Sequence, residues 1–234
     1  MAIRPMRILN TDIGPGKTVL YFDIAKLHTR TSIEVPIIIE RARKDGPTLL
    51  LLAGIHGNEV NGVEIVRQLI PYAPEMIIMC DQAETPLHNI ELELQERGTR
   101  VNCISFLADI TNEKRMDGLF DSFKPHYVYH AAAYKHVPMM ELCPTEAVRN
   151  NVIGTKIVSD LAVKYHAERF VMISTDKAVN PTNVMGASKR MAEIYVQGLS
   201  SEKNITTKFI TTRFGNVLGS NGSVINRFKD QIEK

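Results

Sequence analysis

The side chains best placed to do chemistry in this sequence sit just past runs that read as β-strands. After RFVMIST (169–175) comes the pair Asp176-Lys177, preceded by Ser174 and Thr175 and followed, twelve residues on, by Lys189 with Met185 one helical turn before it. A carboxylate beside an ammonium is equipped to give one proton and take another, although an Asp-Lys pair standing alone is more often a surface turn. Asp81 ends EMIIMCD (75–81) and lies 19 residues past Gly62. That spacing fits an acidic residue holding a ribose hydroxyl of a dinucleotide; a strand-end Asp that caps a helix fits as well. Asp109, after VNCISFLAD (101–109), leaves the same two readings open, with an adenine amino group as its partner. HYVYHAAA (126–133) puts the small residues Ala131 and Ala132 where a cofactor backbone could approach, followed by Lys135 and His136 and then by Asn151 on the next helix. The last strand carries Arg213 and Asn216. Far upstream, His56 and Glu59 form an H-x-x-E after a buried strand, a pattern that suits two metal ligands and equally a loop histidine with a helix-capping glutamate.

These residues need a scaffold that collects strand ends, and the pattern supplies one. Residues 17–24 and 32–40 alternate apolar and β-branched residues and read as strands. TLLLLAGI (48–55) reads as a buried central strand, and a helical pattern runs from Val63 to about Pro71. From there strands at 75–81, 101–109, 126–133, 169–175 and 206–217 alternate with helices at 85–98, 112–123, 144–165 and 186–200. Strands alternating with helices of this length indicate βαβ units. The fold expected is α/β, a doubly wound, mostly parallel Rossmann-like sheet with extra N-terminal β-strands. In such a sheet ligands lie beyond the carboxyl ends of the strands.

Composition narrows the partners. A net charge of +2 on 234 residues leaves no basic stripe for nucleic acid. Three widely spaced cysteines make neither a disulfide framework nor a zinc cluster. The N-terminus lacks the apolar core of a signal peptide, and no apolar run approaches a membrane span. A cytoplasmic protein without a membrane segment is expected, and a homo-oligomer is allowed.

Three stretches, HAAAYKHVPMME, STDKAVNPTNVMGASKRMAE and TRFGNVLGSNGSV, together resemble the polysaccharide-biosynthesis family of nucleotide-sugar 4,6-dehydratases, which are extended short-chain dehydrogenase/reductases. The resemblance runs from about residue 65 to the end. It implies an NAD- or NADP-dependent lyase that acts on a UDP-N-acetylglucosamine-like sugar. A hydride leaves sugar C4, water is eliminated across C5 and C6, and the hydride returns to C6. By the same resemblance Asp176 is the acid and Lys177 the base of the elimination. Lys189 holds the nicotinamide ribose, and Ser174 or Thr175 bonds the reacting oxygen. Gly62, Asp81, Asp109, Ala131, Ala132 and Asn151 line the cofactor; Lys135, His136, Arg213 and Asn216 face the substrate. Met185 stands where short-chain dehydrogenases usually carry the tyrosine base, and methionine handles no proton. The family also continues past the point matching Lys234, so the resemblance implies a C-terminally truncated segment.

The N-terminal segment departs from that pattern. The family's three phosphate-turn glycines would fall at 56, 59 and 62, where this chain has His56, Glu59 and Gly62. A carboxylate there repels a pyrophosphate, so impaired cofactor binding is expected. Residues 1–70, through GPTLLLLAGIHGNEVNGVEIVRQL, instead resemble the opening of the succinylglutamate desuccinylase/aspartoacylase zinc hydrolases. That likeness implies zinc on His56 and Glu59. With no third ligand in a matching context, zinc would be held weakly. The expectation is a chimeric chain, with a β-rich segment at 1–62 and a Rossmann-like segment at 63–234. A zinc-dependent amidohydrolase and a catalytically inactive chimera are the alternatives to the dehydratase.

Overall fold

The computed structural model describes residues 7–8, 11–12, 16–26, 32–41, 49–52 and 60–215. The chain forms two compact units, Met1–Gly46 and Pro47–Lys234. In the first, β1 (Arg7–Ile8) pairs antiparallel with β2 (Thr11–Asp12), and β3 (Gly16–Lys26) with β4 (Ser32–Arg41). The strands expected at 17–24 and 32–40 are therefore present. They pair with each other in a sheet of their own rather than adding to the parallel sheet.

Among the described residues the second unit holds six parallel strands: β5 (Leu49–Leu52), β6 (Met76–Asp81), β7 (Asn102–Leu107), β8 (Tyr127–His130), β9 (Arg169–Thr175) and β10 (Lys208–Phe214). Their spatial order is β7-β6-β5-β8-β9-β10. Counted from β5 as the first strand, this is 3-2-1-4-5-6, the doubly wound dinucleotide-binding order, in which the direction of winding reverses between the first and fourth strands. That switch falls between β5 and β8, where Leu52 is level with His130.

Helices α1 (Val60–Leu69), α2 (Glu84–Glu96), α3 (Glu113–Phe123), α6 (Thr155–Lys164) and α7 (Val184–Ser201) make the crossovers. Strand β6 shows how they cover both faces. Ile77 and Met79 pack with Val66, Leu69, Leu87 and Ile90 from α1 and α2. Ile78 and Cys80 point the other way, into a cluster with Phe120, Val158, Ala192 and Val196 from α3, α6 and α7. Burial on both faces is why parallel strands read as continuous apolar runs. Gly98, at φ +60°, follows α2 as the left-handed stop its position suggested.

One element differs from expectation. The helix read over 144–165 is three pieces: α5 (Pro144–Ala147), a π-helical stretch over Val148–Gly154, and α6. A short helix α4 (Val137–Leu142) precedes them. Single-turn π segments widen a helix locally and collect at functional sites; this one carries Asn150 and Asn151. Among the described residues no helix is long and apolar enough to cross a membrane.

Candidate active site

The strand order brings the carboxyl ends of β6, β7, β8, β9 and β10 to one edge, and with them most of the residues singled out above. At β6, Asp81 is buried, and its Oδ1 accepts the Ala83 N–H at 2.7 Å. After β7, Asp109 Oδ1 accepts the Thr111 N–H at 2.8 Å. Each carboxylate thus closes a tight local turn and caps no helix. The backbone of Gly62 lies within α1. Gly154 is needed for close approach, because a Cβ there would stand 2.5 Å from Ile110 Cδ1. The π-helical stretch therefore sits directly against the loop after β7.

Beyond β8 a buried polar network fixes the loop that carries the alanines. Asn151 is fully buried. Its Oδ1 accepts the Tyr134 N–H at 2.8 Å, while its Nδ2 donates to the Tyr134 carbonyl and to Ser188 Oγ, each at 3.0 Å. One side chain thus ties the Ala131–Tyr134 loop to α7. Its amide is spent on protein groups, which makes its contribution to a cofactor pocket one of position. Thr155 gives its hydroxyl proton to the Asn151 carbonyl at 2.7 Å, so it must accept from His130 Nε2 at 2.8 Å. That network assigns the His130 proton to Nε2. Burial, with the Lys189 charge adding, pushes His130 down to about 3, so the ring is neutral. Its Nδ1 and the Asn150 Oδ1 are buried without hydrogen-bond partners. Lys135 is half-buried and His136 exposed on the same loop.

At the end of β9 the chain turns sharply through Asp176–Ala178. Lys177 Nζ lies 3.2 Å from Asp176 Oδ1, and the Thr175 hydroxyl donates to the same oxygen at 2.9 Å. The hydroxyl of Thr175 and then the Lys177 ammonium hold Asp176 below its ordinary range. A general acid must carry a proton, so Asp176 in this setting is a ready acceptor. It becomes a donor only once a bound substrate displaces water and lifts its affinity for the proton.

Helix α7 closes the site from behind. Asn183 caps it, its Oδ1 accepting the Gly186 N–H at 2.8 Å. Lys189 is 4% exposed and donates from Nζ to the Ile173 carbonyl at 2.6 Å. Burial pushes this ammonium down to about 8, with Glu193 opposing the shift. Met185 is also buried, packed with Met140 and Ala147; it serves as core. Arg213 is committed to the protein. Its Nε and Nη2 donate to the two carboxylate oxygens of Glu193 at 2.8 and 2.6 Å. Ser174 Oγ is buried beside that carboxylate and helps to hold it down, yet it makes no well-aligned hydrogen bond.

Glu193 was not among the residues read from the sequence. It is fully buried, and although burial alone would raise it, Arg213, Ser174 and Arg190 hold it at about 2. Its i+4 spacing from Lys189 was the available sign. Asn216, His56 and Glu59 lie outside the described residues. Among the described residues no group of three His, Cys, Asp or Glu could hold a metal ion.

The family described as "Polysaccharide biosynthesis protein" matches residues 51–234. The capsular polysaccharide biosynthesis protein CapD of Staphylococcus aureus is 44% identical over 90% of this chain and 35% of its own length. A UDP-N-acetylglucosamine 4,6-dehydratase (inverting) of Campylobacter jejuni is 37% identical over 56% of this chain and 39% of its own. A UDP-glucose 4-epimerase of Rickettsia canadensis is 40% identical over 55% and 38%. The chain thus spans well under half the length of these relatives. Among solved structures, Pen from Bacillus thuringiensis superposes with a TM-score of 0.73 at 31% identity, over 82% of this chain and 58% of that one. Residues 51–70, which the sequence alone divided between two families, fall inside the polysaccharide-biosynthesis match, and β5 stands in the centre of the parallel sheet rather than in a separate N-terminal segment. By the match over residues 51–234, the chain belongs to the polysaccharide biosynthesis protein family.

Proposed function

We propose that this chain is the nucleotide-binding part of an NAD-dependent 4,6-dehydratase acting on a UDP-N-acetylglucosamine-type sugar. The observation that carries the reading is the pairing of Asp176 with Lys177 at the carboxyl end of β9, beside the buried Lys189 on α7. A 4-epimerase moves a hydride and a hydroxyl proton at C4 and needs no proton transfer at C5 or C6. A dehydratase also needs an acid and a base on the C5–C6 side, and Asp176 and Lys177 provide that pair.

The residues fit a dinucleotide. The switch point between β5 and β8 opens onto small residues, Ala131 and Ala132, and the buried Lys189 ammonium keeps N–H bonds beyond the one given to Ile173. Asp81, Asp109 and Gly62 would face the adenosine side, and Lys189 the nicotinamide ribose. When bound, the dinucleotide supplies a hydride acceptor and donor. The chain's own residues serve the elimination: Lys177 passes its proton to the paired Asp176 and then takes the C5 proton, Asp176 gives the proton it received to the departing C6 hydroxyl, and Thr175 orients Asp176. Lys135 and His136 reach the sugar from the loop after β8. Arg213 would act on the substrate through the strand end it holds. No residue on α7 replaces the tyrosine base at C4, since Met185 is buried core.

Binding UDP-N-acetylglucosamine with NAD and analysing the product tests this. Release of a UDP-sugar that has lost one water is expected. A C4 epimer that keeps its water would assign the epimerase reaction instead.

The cofactor carries its own prediction. The buried carboxylate of Asp81 ends β6, where a ribose hydroxyl is accepted and a 2′-phosphate is repelled. NAD should bind at least about tenfold more tightly than NADP, a difference of about 1.4 kcal/mol. Both should bind weakly, because His56 and Glu59 stand in place of phosphate-turn glycines. Calorimetry with the two dinucleotides checks this; equal or tighter NADP binding would contradict it.

A further inference from the structure

We propose that Glu193 is a positioning residue of this site: its buried carboxylate provides the counter-charge for Lys189 and pins Arg213, and so the end of β10, against α7. The inference rests on the functional reading above, which puts the nicotinamide ribose at Lys189, and it concerns a residue that touches neither cofactor nor sugar.

Glu193 lies one helical turn beyond Lys189, on the same buried face of α7. It is 0% exposed. A carboxylate that far from water is retained only when it is fully engaged. Arg213 reaches it with two parallel hydrogen bonds at 2.8 and 2.6 Å, and Arg190 adds a third at 2.9 Å. The fork of Arg213 fixes direction as well as distance. Two residues beyond Arg213, a Cβ on Gly215 would stand 3.9 Å from Asp176 Oδ2. The clamp therefore sets where the end of β10 stands relative to the Asp176–Lys177 turn.

The same carboxylate governs the charge on Lys189. The groups facing that ammonium are the Ile173 carbonyl from β9, the neutral His130 from β8, and Glu193 on its own helix. Arg213 from β10 and Arg190 face Glu193. Glu193 is thus the anion that keeps a desolvated lysine charged near neutral pH. Without it the ammonium would lose its proton at lower pH and its grip on a ribose hydroxyl with it.

Side-chain NMR titration of lysines in the whole chain, with Lys189 identified by difference against Lys189→Arg, tests the assignment. In Glu193→Gln the Lys189 midpoint should fall by about one unit from its value near 8. NAD binding measured at pH 8 should weaken about tenfold with it. A purely structural role predicts the opposite sign: loosened packing would let water in and raise the midpoint toward that of a free lysine. A midpoint that stays or rises in Glu193→Gln overturns the proposal. Glu193→Asp keeps the charge on a shorter arm, and it serves if the Gln variant does not fold. It should lower Tm and leave the midpoint within about half a unit; a return to the ordinary lysine range overturns the proposal. If the midpoint falls as expected but a chain extended to its relatives' length and given a three-glycine turn in residues 54–62 turns over no UDP-sugar, the dehydratase reading fails and the role of Glu193 stands.

Discussion

Asp176→Asn and Lys177→Ala should each cut UDP-sugar turnover by about 10²–10⁴-fold, the usual contribution of a positioned acid or base. The assay is best made in a chain extended to the length of its relatives, with a three-glycine turn in residues 54–62. Dinucleotide binding should be nearly unchanged in both variants, since the proposed function gives that task to Lys189, Asp81 and the alanines after β8. The unliganded geometry adds a constraint on order. Asp176 is ionised and paired with Lys177 at 3.2 Å. The pair must be parted, or covered by substrate, before one member can donate and the other accept. Asp176→Asn removes the carboxylate that would give up a proton, so it should impair proton donation to the departing hydroxyl. Met185→Ala is the control. Its side chain is 4% exposed in a cluster with Met140 and Ala147, so truncation should cost about 2–5 kcal/mol of stability through a cavity and leave the proton-transfer steps intact. Full activity in the Asp176 and Lys177 variants would sink the dehydratase assignment of these residues and leave the fold.

Much of this arrangement was legible before any coordinates. Short continuous apolar runs alternating with period-3.6 helices placed the parallel strands, and the rule that ligands gather at strand carboxyl ends drew attention to Asp81, Asp109, Asp176 and Lys177. Strand order was not readable, because one-dimensional patterns do not say that β5 pairs with both β6 and β8. The π-helical stretch was hidden for a related reason. Its sequence, VRNNVIG, is rich in weak helix formers but carries no local signature of a π turn; the contacts that accompany it, Asn151 with the loop after β8 and Gly154 against Ile110, are long-range. Arg213 read as a substrate residue through the family resemblance of TRFGNVLGSNGSV alone. Its partner Glu193 lies 20 residues away on another element. Long-range pairing of this kind leaves no local signature, whereas the i+4 spacing of Lys189 and Glu193 does.

Gly186→Ala should do more damage than any other single methyl group added to this helix. A Cβ at Gly186 would lie 2.3 Å from the Lys177 carbonyl oxygen and 3.1 Å from its carbon. Both atoms are backbone, so no side chain can swing aside. The contact joins the first turn of α7 to the Asp176–Ala178 turn, which makes this glycine the spacer that sets the depth of the acid–base pair against Lys189. The new methyl group must push the turn outward or pull α7 off its Asn183 cap, whose Oδ1 would itself be 3.3 Å from the added carbon. Overpacking of this kind costs about 1–3 kcal/mol. A displacement of about 1 Å in a reacting group can cost about 10²-fold in rate. Gly198 supplies the comparison within the same helix: an added Cβ there meets nothing within 4 Å. Since alanine is the better helix former by about 1 kcal/mol, Gly198→Ala should be neutral or stabilising and leave turnover alone. Denaturant unfolding and turnover of the two variants side by side decide the matter. Equal stability and equal activity in both would mean that the Lys177 carbonyl yields freely, and that Gly186 does not set the position of the Asp176–Lys177 pair.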